Sequence, residues 1–324
     1  MAHQHPAHRL VDAILASQHP VEDAERGIAV TRAARASMLI SRASDITDAE
    51  VDAGSLAFMG QALVQTTLPH SDPGVACFER TSGSVSLSII ANPRFGLPFG
   101  TVPRLLLAWI CTEAVKTRSP LLSLGNSQND FLRKLGMRTD GRDCQRLRAQ
   151  SLKLFSSMLS ITYQRHGRFG LKNMSIADEA FVFWDPHRPD GRMLWESSLR
   201  LSGEFFRNVT ESPVPIDRRV LHALARSPLA MDIYSWLVYR IFLLRVTQRP
   251  SVLIPWPSLK LQFGADYSAT PRGLLDFKRQ FLLRLKDALL FYPEADVTAQ
   301  NTGLLVAASR LRVRHTGGGR LSSL

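Results

Sequence analysis

Cysteine is scarce in this chain: Cys77, Cys111 and Cys144 are the three among 324 residues. None makes a close pair or a metal-ligand spacing, which excludes a disulfide scaffold and a zinc module and reads as reduced thiols in a cytoplasmic protein. Long apolar runs are missing too. Arg240 interrupts the stretch 236–244, so no segment reads as a bilayer span and no membrane partner is expected. His3, Gln4, His5 and His8 occupy the place where the apolar core of a leader would begin.

Catalytic signatures are also lacking. Gly317-Gly318-Gly319 has no following lysine or helix and so is no phosphate loop, and no Gly-x-Ser-x-Gly elbow occurs. Asp45, Asp48, Glu50 and Asp52 have neither the spacing nor the turn glycine of a calcium loop. A metal-dependent nicking enzyme needs paired histidines beside a nucleophilic tyrosine. His3 and His5 stand in the wrong setting, and Tyr163, Tyr234, Tyr239, Tyr267 and Tyr292 read as strand, core or loop residues. The expectation is a protein that is not an enzyme, with no cofactor and no metal site.

What the chain has is positive charge, unevenly placed. Its net charge is +12. Residues 1–96 hold 7 Lys+Arg against 10 Asp+Glu, a net of −3, and the remainder holds 33 against 18, a net of +15. Segment 133–172 alone carries ten basic residues with only Asp140 and Asp143 as acids. An acidic arm beside a concentrated basic segment points to a polyanionic partner.

It also has an internal repeat. Two stretches, about 97–206 and 213–309, follow one order: apolar helix, short β run, small helix, basic helix, β-hairpin. Trp109 and Trp236 lie mid-helix 127 residues apart, and Gly136 and Gly264 follow the small helices 128 apart (236 − 109 and 264 − 136). Thr101 with Pro103, and Ser227 with Pro228, suit the starts of the long helices. The β runs are Leu121–Leu124 and Val252–Ile254; the small helices are Ser127–Leu135 and Pro257–Phe263, each closed by a glycine suited to a left-handed residue. That order builds a winged helix, whose last helix enters the major groove of DNA. The fold class expected is α+β: tandem winged-helix domains behind a helical, partly disordered N-terminal arm. The boundaries read as 1–75 for the arm, 76–210 and 211–314 for the two domains, and 315–324 for a disordered tail. Residues 76–91 alternate as a hairpin turning at Thr81-Ser82-Gly83.

Taken as a helix, 142–159 gathers Cys144, Leu147, Ser151, Leu154, Phe155 and Met158 on one face. Arg142, Arg146 and Lys153 lie opposite, flanked by Gln145 and Gln150, with Arg148 at the side and Arg138 in the turn before. Arginine can bond two acceptors of guanine and glutamine can pair with adenine. An isolated basic helix is usually a solvated face, but the glycine-bearing turn 136–141 has the length of a helix-turn-helix joint. The second basic helix begins at Thr270-Pro271 and turns Arg272, Asp276, Arg279, Gln280 and Lys286 outward, with Lys278 snorkelling from nearer the core. Asp276 fits either a cytosine amino group or an i,i+4 pair with Arg272, the second being more economical. Hairpins at 160–172 and at 290–306 follow the two helices. Arg165, Arg168 and Lys172 on the first, and Arg310, Arg312 and Arg314 after the second, are placed for phosphates, which give affinity without sequence information.

Several blocks resemble RepA-type plasmid replication proteins: Leu97-Pro98-Phe99-Gly100, Pro103–Leu107, Thr112–Val115, Phe131–Gly136, Trp184-Asp185-Pro186, Pro213–Asp217, Ser227–Tyr234, Phe263–Tyr267, Phe277-Lys278 and Tyr292–Ala295. The resemblance is dense over about 97–308 and poor in the arm. It implies a bacterial, plasmid-associated cytoplasmic initiator that binds repeated duplex sites at an origin (iterons). It implies melting of adjacent DNA, helicase loading with the host DnaA initiator and a DnaB-type helicase as partners, and copy control by repression of its own promoter as a homodimer. The alternatives are a transcriptional repressor with no part in replication and, third, the nicking enzyme weighed above.

Overall fold

The computed structural model describes residues 24–47, 51–165, 168–182, 197–264 and 267–313. Helix α1 (Ala24–Thr47), strand β1 (Leu56–Gly60), helix α2 (Gln61–Gln65) and the hairpin β2 (Cys77–Ser82) and β3 (Val85–Ile90) come first. Next are α3 (Thr101–Thr117), β4 (Leu121–Gly125), α4 (Gln128–Lys134) and α5 (Gly141–Phe155), then four strands: β5 (Met158–Arg165), β6 (Arg168–Ser175), β7 (Ala177–Phe181) and β8 (Ser197–Leu201). Helix α6 (Gly203–Glu211), β9 (Pro213–Asp217) and α7 (Arg218–Ala223) lead to the second stretch. It holds α8 (Pro228–Val246), β10 (Ser251–Pro255), α9 (Trp256–Phe263), α10 (Pro271–Leu289), β11 (Val297–Ala299) and β12 (Gly303–Ala307). The chain is a mixed helix-and-sheet protein with four separate antiparallel sheets among the described residues.

Local chemistry starts most of these helices. Ser127 accepts the Asp130 N–H, Ser227 the Ala230 N–H and Thr270 the Gly273 N–H, each satisfying an N–H that a helix start leaves open. The expected Thr101 cap is not made. Helix α3 is preceded by Gly100 at φ 80°, so Thr101 already lies inside the first turn, where its hydroxyl meets the Arg146 guanidinium at 3.5 Å.

The two tryptophans of the repeat do equivalent work. Trp109 meets Phe131 of α4 edge-on at 4.8 Å between ring centres, and Trp236 meets Phe263 of α9 the same way at 5.6 Å. Each thereby seats the small helix on the long one through an edge-to-face aromatic pair.

The sheets repeat as well, though not where the sequence reading put them. β4 pairs with β8 and β8 with β7; β10 pairs with β12 and β12 with β11. In both stretches the early β run therefore lies beside the last strand. The counterpart of β11–β12 is thus β7–β8, not the hairpin at 160–172. That hairpin, β5–β6, joins β2–β3 instead, in the order β2-β3-β5-β6, with Val85–Ile90 registered against Tyr163–Met158. Leu87, Ile89, Leu159 and Ile161 are buried along the shared face, which explains the preference. The hairpin expected from 290 also differs. Phe291 and Tyr292 are buried in the turn after α10, and the first strand begins only at Val297.

One pairing spans the chain. β1, in a stretch read as part of the arm, runs antiparallel to β9 with Leu56 opposite Asp217. Ala57, Met59, Val214 and Ile216 are buried there. Among the described residues no helix is long and apolar enough to cross a membrane.

Candidate nucleic-acid interface

Helix α5 starts at Asp140, whose carboxylate accepts the Asp143 N–H at 2.8 Å. A second acid, Asp143, sits in the first turn, where negative charge suits the helix dipole. Cys144, Leu147, Ser151, Leu154 and Phe155 are buried as the periodicity requires. Helix α5 ends at Phe155 and not at Leu159; Met158 belongs to β5 and is exposed.

The outward face of α5 holds Arg142, Gln145, Arg146 and Arg148, all exposed. Arg142 and Arg148 have no ion pair among the described residues. Arg146 bridges to Asp143 at 3.0 Å, and Arg138 reaches Asp140 at 3.3 Å and Asp143 at 3.7 Å. The two acids thus hold two arginines near the helix start without covering them. The Arg138–Asp140 pair is exposed on both sides and weak, whereas Asp143 is buried and holds its arginines from beneath, leaving their outer N–H groups open to phosphate.

Two expected contacts on α5 are corrected. Gln150 is buried, and its side-chain oxygen accepts the Phe99 N–H at 2.9 Å, so it fixes the loop before α3 and cannot read a base. Lys153 lies over the Phe99 ring at 4.5 Å and beside Asp72 at 3.6 Å, largely covered. It braces the same loop.

On α10, Phe277, Phe281, Leu285 and Ala288 are buried, and Arg272, Arg279 and Gln280 are exposed. Arg272 pairs with Asp276 at 3.4 Å, the more economical of the two roles read for that acid. Lys278 sits 4.9 Å from the Trp256 ring centre, half-buried with its ammonium over the aromatic face. Lys286 is half-buried, and burial pushes its ammonium pKa down. Gly264, expected to be left-handed, has φ −129°. Its constraint is space: a Cβ there would stand 2.4 Å from Phe277 Cδ2.

The strand cations divide three ways. Arg168 and Arg310 are exposed. Lys172 is exposed but held by Glu204 at 3.1 Å. Arg312 is a correction: its guanidinium donates to the carbonyls of Ile46 at 2.5 Å and Thr47 at 3.2 Å, closing the end of α1 rather than facing phosphates. The side chain of Arg165, all of Arg314, and Trp184-Asp185-Pro186 lie outside the described residues.

Residues 97–257, from the loop before α3 into the start of α9, match the family model for plasmid encoded RepA protein. Over that segment the chain belongs to the RepA family. It is therefore a plasmid replication protein, and the matched segment contains all of α5 with its arginines. No curated protein matches the chain. Among solved structures, it is similar to domains 2 and 3 of RctB, at a TM-score of 0.48 and 12% identity over 76% of this chain and 95% of that one. A second RctB domain 2–3 crystal structure aligns at a TM-score of 0.47 and 10% identity, covering 76% and 94%.

Proposed function

We propose that this RepA-family chain is a non-enzymatic initiator that grips repeated duplex sites at its plasmid's origin through two winged helices. In this reading the domains span 76–210 and 211–314, with α5 and α10 as the groove-entering helices. The carrying observation is the exposed α5 face: Arg142, Gln145, Arg146 and Arg148 project from a capped helix inside the family segment. The matching order β4-β8-β7 and β10-β12-β11 supports a second module of the same design. In the same reading β7–β8 is the wing of the first.

A winged helix occupies about one turn, so one chain covers roughly 20 bp. Arg142, Gln145 and Arg148 read base edges, and Arg138, Arg146 and Arg168 meet phosphates. Arg272, Arg279, Gln280 and Arg310 do similar work on the second module. Binding bends or strains the origin enough to open adjacent DNA, and the protein then passes the site to host DnaA and a DnaB-type helicase. A homodimer represses the promoter from the same surface, in the cytoplasm of the plasmid's host.

Footprinting on the plasmid's own origin tests this. Protection of regularly spaced repeats is expected, with affinity falling steeply as salt rises. Protection of random DNA alone, or stable plasmid maintenance after deletion of the gene, overturns it.

A further inference from the structure

Between the two stretches lies a cleft of about 550 Å³ that none of the DNA-contacting candidates lines. Its walls come from α3, the start of β4, the end of α4 and α7. The floor is apolar: Trp109, half-buried, Leu121, half-exposed, and Leu221, buried, all face it. The rim is cationic. Lys116 and Lys134 are exposed and have no ion pair among the described residues, and Arg218 is exposed with one nitrogen bonded to the Gly54 carbonyl at 3.0 Å. A single acid, Glu113, stands on the wall against these three.

We propose that this cleft docks a short acidic peptide segment of a partner protein, with leucine or phenylalanine anchors on the floor and carboxylates on the rim. Size and lining fit. Pockets of several hundred cubic ångströms with an apolar base take compact apolar anchors, and here Thr112, Thr117, Ser123 and His222 add wall groups that can bond a peptide backbone. Three rim cations against one acid select the sign of the approaching segment and speed its arrival more than they tighten it.

Single-stranded nucleic acid fits less well. Base binding needs aromatic platforms. Here one indole faces the cleft, already packed edge-on to Phe131, and the other floor side chains named are leucines that offer bases no π-face. Glu113 also repels phosphates, whereas a peptide backbone N–H can donate to it.

The location has a functional meaning. Because α5 and α10 contribute nothing to the cleft, a peptide and a duplex can be held at once. The cleft is walled by both stretches of the chain, so its occupant touches both modules.

The test uses the full chain labelled with ¹⁵N, with the Trp109 indole signal assigned from the Trp109→Phe spectrum. The probe is a short peptide alternating aspartate and glutamate with leucine and phenylalanine. Its lysine counterpart and an oligothymidine serve as comparisons. The acidic peptide should shift the Trp109 signal saturably and the lysine peptide should not. Lys116→Glu with Lys134→Glu should weaken binding at least about tenfold. Leu121→Ser, at an exposed position that tolerates change, should weaken it independently. No saturable shift with the acidic peptide, undiminished binding by both variants, or a response to oligothymidine alone overturns the proposal. Origin-duplex binding is measured on the same samples. Its loss with peptide binding intact counts against the initiator reading and not against the cleft.

Discussion

Arg104 and Asp232 clasp each other across the two halves of the chain. The Arg104 Nε lies 2.7 Å from one carboxylate oxygen of Asp232 and its Nη2 2.6 Å from the other. The guanidinium also donates to the carbonyls of Leu68, Pro69 and Gly100, and His70 Nε2 lies 2.8 Å from the same carboxylate. A carboxylate oxygen can only accept, so that histidine nitrogen carries the proton. Burial alone would lift the Asp232 carboxyl; the Arg104 charge and the hydrogen bonds from both neighbours outweigh it and hold the pKa below the usual range. α3 and α8, the long helices of the two stretches, are held together at this point.

Removing one partner of that clasp leaves a charge buried and unmatched. Asp232→Asn or Arg104→Ala should cost about 3–5 kcal/mol in denaturant unfolding. Replacing both, Arg104→Met with Asp232→Leu, should cost clearly less than either single change. A double variant as damaged as the sum of the singles would refute the clasp.

Acid should loosen the seam between the halves. Burial, helped by the Arg218 charge, pushes His222 down to about 4 from 6.5. The folded state therefore binds fewer protons than the unfolded state between those values, so stability is full above about pH 6.5 and falls as pH drops towards 4. His70 is also depressed, by burial first, against the pull of Asp232, and acts in the same direction. His222→Gln should flatten the decline of unfolding midpoint with acidification. An unchanged slope would show that His222 titrates normally.

The same histidine explains a glycine. Gly136 ends α4 at φ 66°, and a Cβ there would stand 2.5 Å from the His222 ring. Gly136→Ala suffers both the left-handed backbone and the collision, so it should destabilise by more than about 1 kcal/mol. Adding His222→Ala should restore only the steric part, measured by a double-mutant cycle.

Two changes on one helix should separate reading from folding. Arg142→Ala with Arg148→Ala should leave the unfolding midpoint nearly unchanged and weaken origin binding by about 1–3 kcal/mol per lost base contact. Gln150→Ala should do the reverse, leaving the Phe99 N–H without its partner at a cost of about 1–3 kcal/mol. If Gln150→Ala alters sequence preference while stability holds, the assignment of roles on α5 is wrong.

Local chemistry was legible from the residues. Ser127, Ser227 and Thr270 cap their helices because capping depends on a few neighbouring atoms. The spacing of Trp109 and Trp236 marked equivalent places in the two stretches, and in the structure each packs on the small helix that follows. What escaped was set by distant partners. Helical periodicity puts Gln150 at the border of the polar face, and only the loop 51 residues earlier decides that it turns in. Arg312 finds its acceptor 265 residues away, and β1 pairs with a strand near Asp217. The sheet order escaped for the same reason: the hairpin expected at 160–172 does form as β5–β6, but β2–β3 claims it.

Among the described residues that claim leaves β6 hydrogen-bonded on one side only. Phe169 and Leu171 stand exposed along it, an inviting template for strand addition by another molecule. Arg168 and Lys172 interrupt the template with charge, which disfavours pairing along that edge. Neutralising them, for instance with Arg168→Thr and Lys172→Thr, should raise light scattering on standing above that of the unaltered chain.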